Sequence, residues 1–502
     1  MPARSAPPPA RVVRRASLPG LVRPTAECFA APGDEAYLVG GLVRDVLLGR
    51  TTGDIDIAVG ASVADAGPAL AAALGGTFVV LDAKRDIGRV VVLADGRAQH
   101  VDLTPLGGSI RENLARRDFT LDAMAVPLGQ AASGVDAEVV DPFGGVADLE
   151  AGVVRAVSDG VFKDDPCRLL RAPRLAAQLD MRLDAHTVGL AKRDARLVRK
   201  VAPERVRDEL LKLLATPRAT QALRLLDDLG LLCEIMPEFL DAKGVGQPPE
   251  HHWDVFQHCV ETPGQVDRVL SGPGAGRDEV VWAVPRFEGM QGHFGEVVSD
   301  GHTRRTVLKL AALLHDVGKP AAKTVEPSGR IRFLGHHDVG AAAANGMLKR
   351  LRLSRRGVEL VSVMVEHHLR PSQMAQVGEM PTRRAVYRYF RDVGDAAVDT
   401  LYLNMADYLA ARGPSLELRD WQRHCGVIEH VLKTGLVARS EEREHKLLDG
   451  HTVMTAFGLP PGPHVGTLLE MVHEAQAAGE VTTTEEAMEL VKATLASGEP
   501  RA

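Results

Sequence analysis

The chain has 502 residues, 45% of them hydrophobic and 25% charged, which is close to the average of soluble globular proteins and excludes collagen-like, coiled-coil and low-complexity classes. At roughly 100 to 200 residues per domain, this length predicts about three domains. The chain has 60 Lys and Arg residues and 66 Asp and Glu residues, so its net charge is −6. Binding to a nucleic acid would therefore require local basic patches.

The first residues of the chain are rich in proline and arginine and lack the apolar core of a secretory signal. We predict a disordered tail at residues 1–27, with an RNA-contacting arm or a targeting peptide as alternatives. No apolar run approaches the roughly 20 residues of a membrane span, and the five cysteines contain no Cys-x-x-Cys pair. These features predict a soluble, cytoplasmic protein without disulfides or a membrane partner, and they leave the oligomeric state open.

Residues 28–150 are predicted to form a small domain with a mixed sheet and helices. Short apolar runs bounded by turn residues alternate there with a helical pattern, as in a compact α/β unit. The predicted elements are a helix at Leu42–Leu48, strands at Ile55–Val59, Phe78–Leu81, Val90–Leu93 and His100–Leu103, and a helix around Asn113–Ala125.

The pattern becomes almost wholly helical after the turn-rich segment Asp141–Gly145, with apolar residues recurring at i, i+3 and i+4. One glycine-rich stretch inside the helical part lacks this periodicity, and we expect it to be a mobile insertion. The predicted divisions are a helical neck at residues 151–245, a second helical domain at 246–412 with the insertion at 262–305, and a helical tail at 413–502.

The first candidate site is the pair Asp54 and Asp56 in a predicted strand. Because side chains alternate along a strand, both carboxylates point to the same face. Mg²⁺ prefers carboxylate oxygens together with substrate phosphates, so such a pair can hold the metal of a nucleotidyl-transfer site. An isolated Asp-x-Asp pair is more often a solvated strand edge, but the turn Gly40-Gly41, about a dozen residues earlier, is a loop suited to a triphosphate and favours the metal site.

Five motifs follow one another over about 175 residues. They are Leu-Val-Gly-Gly-Leu-Val-Arg-Asp at 38–45 with the Asp-x-Asp pair, Arg-Arg-Asp-Phe-Thr-Leu-Asp-Ala-Met at 116–124, the hinge-like segment 141–148, Lys-Asp-Asp-Pro-Cys-Arg-Leu-Leu-Arg at 163–171, and Glu-Arg-Val-Arg-Asp-Glu-Leu at 204–210. This order resembles the class II tRNA nucleotidyltransferases, which include the CCA-adding enzymes and the bacterial poly(A) polymerases.

Carried over residue by residue, the resemblance implies a nucleotide site. Asp54 and Asp56 would be the catalytic carboxylates that bind Mg²⁺, and Asp122 stands where the family usually has Asn. The implied nucleotide-binding residues are Gly40, Gly41, Arg44, Arg116, Arg117, Asp118, Asp122, Asp165, Arg168 and Arg171.

The resemblance also assigns the choice of nucleotide to side chains. Asp165 and Arg168 would contact the Watson–Crick edge of the incoming base, because a carboxylate and a planar guanidinium together offer an acceptor and donors. Asp164 replaces the family's usual Glu. A plain i, i+3 helix salt bridge between Asp165 and Arg168 is the alternative, and it is compatible with base recognition.

Asp102, in the predicted strand His100–Leu103, is a candidate third metal ligand of the head, with an ordinary exposed Asp as the alternative. The segment that follows it, residues 103–115, is short and contains several turn formers. In CCA-adding members of the family a longer loop in this place takes part in switching from C to A addition. A short segment resembles CC-adding members, so the addition of C alone is an alternative to full CCA synthesis.

A second candidate site lies in the helical part. His258, the pair His315 and Asp316, and then Asp407 match the order of the H…HD…D signature of HD-domain metal phosphohydrolases. The segment Leu-Leu-His-Asp-Val-Gly-Lys-Pro at 313–320 resembles the HDxGK helix end of those proteins. The resemblance implies a divalent metal held in a helical bundle.

His336 and His368 occupy places where two-metal HD proteins add ligands, and His367 competes with His368. Imidazole together with carboxylate suits Mn²⁺, Ni²⁺, Fe²⁺ or Zn²⁺ better than Mg²⁺. Ordinary core or surface histidines are the alternative, and the bundle could also serve only to hold RNA. The full resemblance implies an α+β protein: a polymerase-β-like head with a mixed sheet, an all-helical neck, an HD bundle and a helical tail.

Three basic clusters, at Lys192–Lys200, Lys349–Arg356 and Arg383–Arg391, either follow a tRNA backbone or are solvated helix faces. The implied function is template-independent addition of C and A from CTP and ATP to the 3′ end of tRNA. The alternatives are a CC-adding or poly(A)-adding member of the family, and an HD phosphohydrolase or phosphodiesterase with a degenerate RNA-binding head.

Overall fold

The computed structural model describes residues 12–13, 18–31, 35–50, 52–94, 97–132, 137–272, 278–374, 379–444 and 446–497. The chain divides into two compact units, one of Met1–Ala202 with Leu225–Ile235 and one of Pro203–Arg224 with Met236–Ala502. The predicted neck is therefore not one body. Its first part belongs to the head unit because the strands Val153–Val154 and Arg182–Leu183 pair with each other and Ala156 forms a bridge with Phe119.

The head unit begins with an α/β domain. Its elements are β1 Val12–Val13, α1 Val22–Glu27, β2 Ala36–Val39, α2 Gly41–Leu47, β3 Asp54–Val59, α3 Val63–Leu74, β4 Thr77–Asp82, β5 Ile87–Ala94, β6 Arg97–Pro105, α4 Ile110–Ala115, a 3-10 turn Thr120–Asp122, β7 Ala125–Pro127, α5 Leu128–Ala132, β8 Ala137–Glu138, α6 Gly145–Glu150 and β9 Val153–Val154.

Six strands form the main sheet in the order β4-β5-β6-β3-β2-β7. The pair β3 and β6 is parallel and the other pairs are antiparallel, which confirms the predicted mixed sheet. The helix expected around Asn113–Ala125 is shorter than predicted. It ends at Ala115, because the backbone N–H of Thr120 binds the carbonyl of Arg155 and the chain then enters β7.

The remaining segments are mainly helical, as predicted, with a few two-residue or three-residue strands between the helices. The elements after β9 are α7 Val161–Asp164, α8 Arg168–Leu179, β10 Arg182–Leu183, α9 Ala185–Asp194, a 3-10 helix Ala195–Lys200, α10 Pro203–Leu214, α11 Ala219–Asp228, α12 Leu232–Ile235 and a 3-10 turn Pro237–Leu240. Among the residues described, no helix combines the length and the apolar character that crossing a membrane requires.

The second unit continues with a helical bundle and a tail. Its elements are α13 Val255–Leu270, α14 Glu279–Ala283, α15 Met290–Gly295, β11 Val297–Ser299, β12 His302–Thr303, α16 Arg304–Leu314, α17 Lys319–Ala322, β13 Thr324–Val325, β14 Ile331–Arg332, α18 His336–Arg350, α19 Arg355–His367, α20 Arg370–Gln373, α21 Arg383–Val393, a 3-10 turn Gly394–Ala396, α22 Ala397–Arg412, a 3-10 turn Gly413–Ser415, α23 Leu418–Glu444, α24 Gly450–Phe457, α25 Pro463–Ala478 and α26 Thr484–Ser497.

Two predicted irregular segments are corrected. The tail predicted at residues 1–27 ends too late, because Val22 and Ala26 of α1 are buried; residues 1–11 and 14–17 lie outside the described part. The insertion predicted at 262–305 is wrong where the structure describes it. Its first nine residues complete α13, with Val266 and Val269 fully buried, and Pro263 inside this helix concealed the helical pattern. Residues 273–277 are not described.

Candidate active site and metal centre

The strand β3 presents the two candidate catalytic carboxylates in the interior of the head sheet, between β2 and β6. Ile55 and Ile57 are buried, whereas Asp54 is exposed and Asp56 is half-buried. The burial alternates along the strand as the sequence predicted. Both carboxylates therefore lie on one face of the sheet, where solvent and a ligand can reach Asp54.

The glycine turn lies directly against this pair. Gly40 precedes α2 with a φ of +74°, in the left-handed region that disfavours other residues. A Cβ at position 40 would lie 2.6 Å from Arg117 Nη1 and 3.3 Å from Asp56 Oδ2. Only glycine allows the turn to approach the carboxylate this closely, and the turn, Asp56 and Arg117 form one small cradle.

The electrostatics of the cradle favour a bound cation. Burial raises the pKa of Asp56 to about 6; the nearby Arg117 opposes the shift, and Asp102 and Asp54 add to it. The ionised carboxylates therefore repel one another in a partly desolvated place. A divalent cation held by oxygen atoms would remove this repulsion, so the residues present fit the metal that the sequence predicted.

Asp102 is placed beside Asp56 by the parallel register of β3 and β6. Both of its oxygens already accept hydrogen bonds from Arg89 of β5, at 2.6 Å from Nε and 2.8 Å from Nη2. This bidentate pair occupies the carboxylate that we considered as a third metal ligand. Arg89 was missed in the sequence because only the antiparallel register of β5 and β6 sets it opposite Asp102.

Arg44 joins the first motif to the second. Its guanidinium is buried and donates to Asp122 Oδ1 at 2.5 Å and to Asp45 Oδ1 at 2.9 Å. Burial raises the pKa of Asp122, and Arg44 opposes that shift. The unusual Asp at position 122 thus provides a charged partner for a buried arginine.

The second motif is joined to the fourth in the same way. Arg171 Nη1 donates to the buried carboxylate of Asp118 at 2.8 Å, and Arg168 Nη2 donates to the carbonyl of Arg116 at 2.7 Å. Asp165 Oδ1 accepts the backbone N–H of Cys167 at 3.1 Å. Three motifs that are separated in the sequence therefore meet in one hydrogen-bonded network within the head unit.

The helical bundle holds the second site. Within the described residues, two groups of His and Asp side chains have ligand atoms within 4.8 Å of one another, and both groups share Asp316. Three helices, α13, α18 and α22, and the residues that directly follow α16 and α19 supply these side chains. The first group is His258, His315, Asp316 and Asp407, and the second is Asp316, His336 and His368.

Hydrogen bonds to backbone carbonyls fix the orientation of three imidazoles. The Nδ1 atoms of His315, His336 and His368 lie 2.7 to 2.9 Å from backbone carbonyl oxygens. Because a carbonyl can only accept, each Nδ1 carries the hydrogen, and in a neutral ring Nε2 then keeps its lone pair. His336 Nε2 and His368 Nε2 face each other at 3.4 Å, an arrangement that a cation between them makes favourable.

The carboxylates of the centre also favour a bound cation. Both Asp316 oxygens are buried and accept no hydrogen bond, although Lys319 Nζ lies 2.5 Å from Oδ2. Burial opposes protonation of His315, but Asp316 and Asp407 outweigh it and raise the pKa of His315 to about 10. One imidazolium thus balances the two carboxylates, whose pKa values are held well below the usual range. Buried carboxylates this close to several imidazoles fit a centre in which a metal replaces the proton on His315.

A cavity of about 260 Å³ opens onto this centre. Besides the predicted ligands it is lined by His251, Lys319, Arg332 and Phe333, none of which the sequence analysis had assigned to a site. Lys319 belongs to the His-Asp-Val-Gly-Lys segment, so this motif could have identified it as a residue of the site. His367 is outside both groups, which supports His368 as the second-group histidine.

Comparison with known proteins identifies the family. Family models match the Poly A polymerase head domain at residues 36–155, a probable RNA and SrmB-binding site of polymerase A at 180–243 and an HD domain at 288–419. The A-adding tRNA nucleotidyltransferase of Deinococcus radiodurans is 36% identical over 91% of this chain and 95% of its own. The CC-adding enzyme of Thermus thermophilus is 35% identical over 91% and 93% of the two chains. The chain belongs to the tRNA nucleotidyltransferase family.

Solved structures of this tRNA nucleotidyltransferase family share the fold. A CCA-adding enzyme in complex with CTP has a TM-score of 0.64, with 21% identity, and the match covers 96% of this chain and 97% of that enzyme. The Thermotoga maritima CCA-adding enzyme complexed with tRNA has a TM-score of 0.59, with 21% identity and 95% coverage of both chains. The predicted fold class, an α/β head followed by helices and an HD domain, is confirmed. The protein is a nucleotidyltransferase, and its family implies a divalent metal.

Proposed function

We propose that this nucleotidyltransferase adds nucleotides from CTP and ATP to the 3′ end of tRNA without a nucleic-acid template. The observation that carries the proposal is the cradle in which the Gly40 turn, Asp56 and Arg117 meet. The Asp-x-Asp pair is intact, which argues against a degenerate head. The relatives named for CC and A addition to tRNA, and the neighbours in complex with CTP, ATP and tRNA, support the choice of substrates.

In the proposed reaction the tRNA 3′-hydroxyl attacks the α-phosphate of the nucleotide in line, and pyrophosphate leaves. Asp54 and Asp56 would hold Mg²⁺, which supplies activation of the hydroxyl and stabilisation of the leaving group. The Gly40 turn and Arg117 would receive the polyphosphate. Asp165 and Arg168, which flank the start of α8, would contact the edge of the base.

The deciding experiment incubates the purified full-length protein with tRNA that lacks its 3′ end, with CTP and ATP separately and together. Addition that stops after two or three nucleotides supports the proposal. A long homopolymer of A would instead identify a poly(A) polymerase, and no addition from either nucleotide would contradict the proposal.

A second candidate, addition of C alone, is favoured by one connection. β6 ends at Pro105 and α4 begins at Ile110, so only four residues join them. The carbonyl of Leu106 accepts hydrogen bonds from Asn113 and from Arg116, which fastens this connection to α4. A connection that is short and hydrogen-bonded to α4 cannot extend far, so it is poorly suited to the switch from C to A addition. Rapid addition of A to tRNA that already ends in CC would contradict this candidate and would support CCA or A addition.

The HD centre supports a separate proposal, a metal-dependent phosphohydrolase or phosphodiesterase activity with Mn²⁺, Ni²⁺, Fe²⁺ or Zn²⁺. The mixed imidazole and carboxylate donors around Asp316 favour these metals over Mg²⁺. Hydrolysis of a phosphate ester or a 2′,3′-cyclic phosphate that depends on such a metal, and that His315→Ala removes, supports this activity. A metal-loaded protein that hydrolyses none of these substrates would show that the centre has a structural role.

A further inference from the structure

The helix α21 has two faces of opposite character. Its apolar side chains, including Tyr389 and Phe390, are buried. Its other face carries Arg384, Arg388 and Arg391, at positions i, i+4 and i+7, which we call the arginine row. Because a helix rises about 1.5 Å per residue, the row places three cations along about 10 Å of helix. Such a row resembles a surface for a line of phosphates more than a site for one small anion.

Glutamates of the tail cover this row. Arg391 Nη1 lies 3.0 Å from Glu470 Oε1, and Arg388 Nη2 lies 2.8 Å from Glu474 Oε1. Arg384 Nη2 lies 2.6 Å from Glu480 Oε2. The glutamates belong to α25 and the turn after it, so the cover is supplied by one continuous segment.

The tail packs apolar residues against one another. Its buried apolar core, which includes Val453, Leu468, Val472 and Val491, consists of residues between 448 and 491. Four arginines and four carboxylates line a cavity of about 1030 Å³ along the seam between α21 and the tail. The tail therefore has its own core, and α25 packs against α21 with ion pairs whose arginines are half-exposed and whose Glu474 is largely buried.

The strength of such an attachment is small. Ion pairs with half-exposed arginines contribute little to stability, and salt screens them. A competing polyanion can replace them at little cost. The tail itself is a poor partner for RNA, since residues 446–497 contain two lysines and seven acidic residues.

We propose that the arginine row of α21 binds the phosphate backbone of RNA, and that the tail glutamates cover it in the free protein and are displaced when RNA binds. The inference rests on the proposed function in taking tRNA as the RNA. Charge complementarity argues for this occupant: RNA presents the same sign of charge as the glutamates, in a longer row, and its binding also releases counterions.

The first test neutralises the cover. The variant E470Q/E474Q is compared with E485Q/E489Q, in which the same charge is removed from α26 and Glu489 loses only its pairing with Lys492. Binding of full-length protein to tRNA is measured as a function of salt. We expect E470Q/E474Q to lower the Kd about five- to tenfold at low salt, a gap that closes at high salt, and the control to lower it less than about twofold. Equal Kd values for the two variants would overturn the proposal.

The second test removes the row. R384Q/R388Q/R391Q should weaken tRNA binding and reduce the slope of log K against log salt by about 2 to 3, whereas R384K/R388K/R391K should retain both. Wild-type binding by a folded Gln variant would overturn the proposal. Nucleotide addition by the wild type is measured in parallel. If the wild type adds nucleotides but the variants bind tRNA as the wild type does, the arginine-row proposal is refuted and the proposed function stands. If the wild type adds no nucleotides but the variants change tRNA binding as expected, only the proposed function fails.

Discussion

The two candidate sites are built on opposite plans. In the head, Asp54 and Asp56 come from one strand, two residues apart, and Asp54 is exposed. In the HD bundle the ligands come from separate helical segments, and His258 and His315 are fully buried. The head would therefore leave positions around a metal open for the phosphates of a substrate, whereas the bundle would supply most of the ligands itself.

The difference extends to charge. The possible metal ligands of the head are carboxylates alone. Burial acts against the ionisation of Asp56, so a metal and a nucleotide together would complete the site. In the metal-free bundle two carboxylates raise the pKa of His315, and a metal bound there would replace this proton. We propose that the head takes up a metal that arrives with substrate and that the bundle holds a resident one. The predictions below test this contrast, from the largest expected effect to the smallest.

Asp56→Asn should lower nucleotide incorporation by about a thousandfold or more, because the stabilisation lost is that of a metal-bound transition state, worth several kcal/mol. Affinity for tRNA, measured by a binding assay, should change little, since Asp56 contacts no backbone phosphate in the proposed reaction. Incorporation close to that of wild type would refute the assignment of the Asp-x-Asp pair. His315→Ala is the matched control and should spare incorporation.

The sequence alone located the two candidate catalytic carboxylates of the head, but not the residues that contact their neighbours. Asp54 and Asp56 are two residues apart in a strand, and period-2 alternation alone places them on one face. The partnership of Arg89 with Asp102 depends on strand register, which the sequence does not display.

For the bundle, only the order of the HD signature pointed to a site, because no local rule brings residues such as His258 and Asp407 together. Helix packing does so, and it also adds residues that no motif marks, such as His251 and Arg332 in the cavity. Long-range packing therefore explains most of what the sequence did not show.

His315→Ala should reduce the bound transition metal of the purified protein to less than about a tenth of the wild-type content, because the first group around Asp316 loses one of its four possible ligands. The measurement is metal content after dialysis. Asp54→Ala, which alters only the head, should retain the full content. If both variants kept their metal, the bundle would not be the resident site.

Metal binding to the head should depend on pH through Asp56, whose pKa is raised to about 6. Protons compete with the metal below that value, so the apparent affinity for Mg²⁺ should fall up to about tenfold per pH unit below pH 6 and level off above it. In the metal-free protein the raised pKa has the opposite consequence: the free energy of unfolding should decrease as pH rises from about 4 to about 6. Asp56→Asn should abolish both dependences in titrations followed by calorimetry and thermal unfolding.

Asp102→Asn tests whether the head has a third metal ligand. Because Arg89 occupies both oxygens of Asp102, we expect only about a three- to tenfold loss of incorporation, from altered orientation of Arg89 and a changed field at Asp56. Arg89→Leu should produce a loss of similar size. A loss by Asp102→Asn as large as that of Asp56→Asn, with Arg89→Leu nearly active, would instead make Asp102 a ligand.

The smallest effect is expected at Asp122. In Asp122→Asn the amide oxygen can still accept from Arg44, which keeps its second partner Asp45. The bond changes from charged to neutral, so we expect the free energy of unfolding to fall by about 1 kcal/mol and the KM for CTP to change less than about threefold. Asp122→Ala removes the acceptor from a buried guanidinium and should cost about 2 to 3 kcal/mol. Thermal unfolding and steady-state kinetics of the two variants separate these outcomes. If the Asn variant were as damaged as the Ala variant, the negative charge itself would be required, and the head would depend on a buried ion pair as strongly as the bundle does.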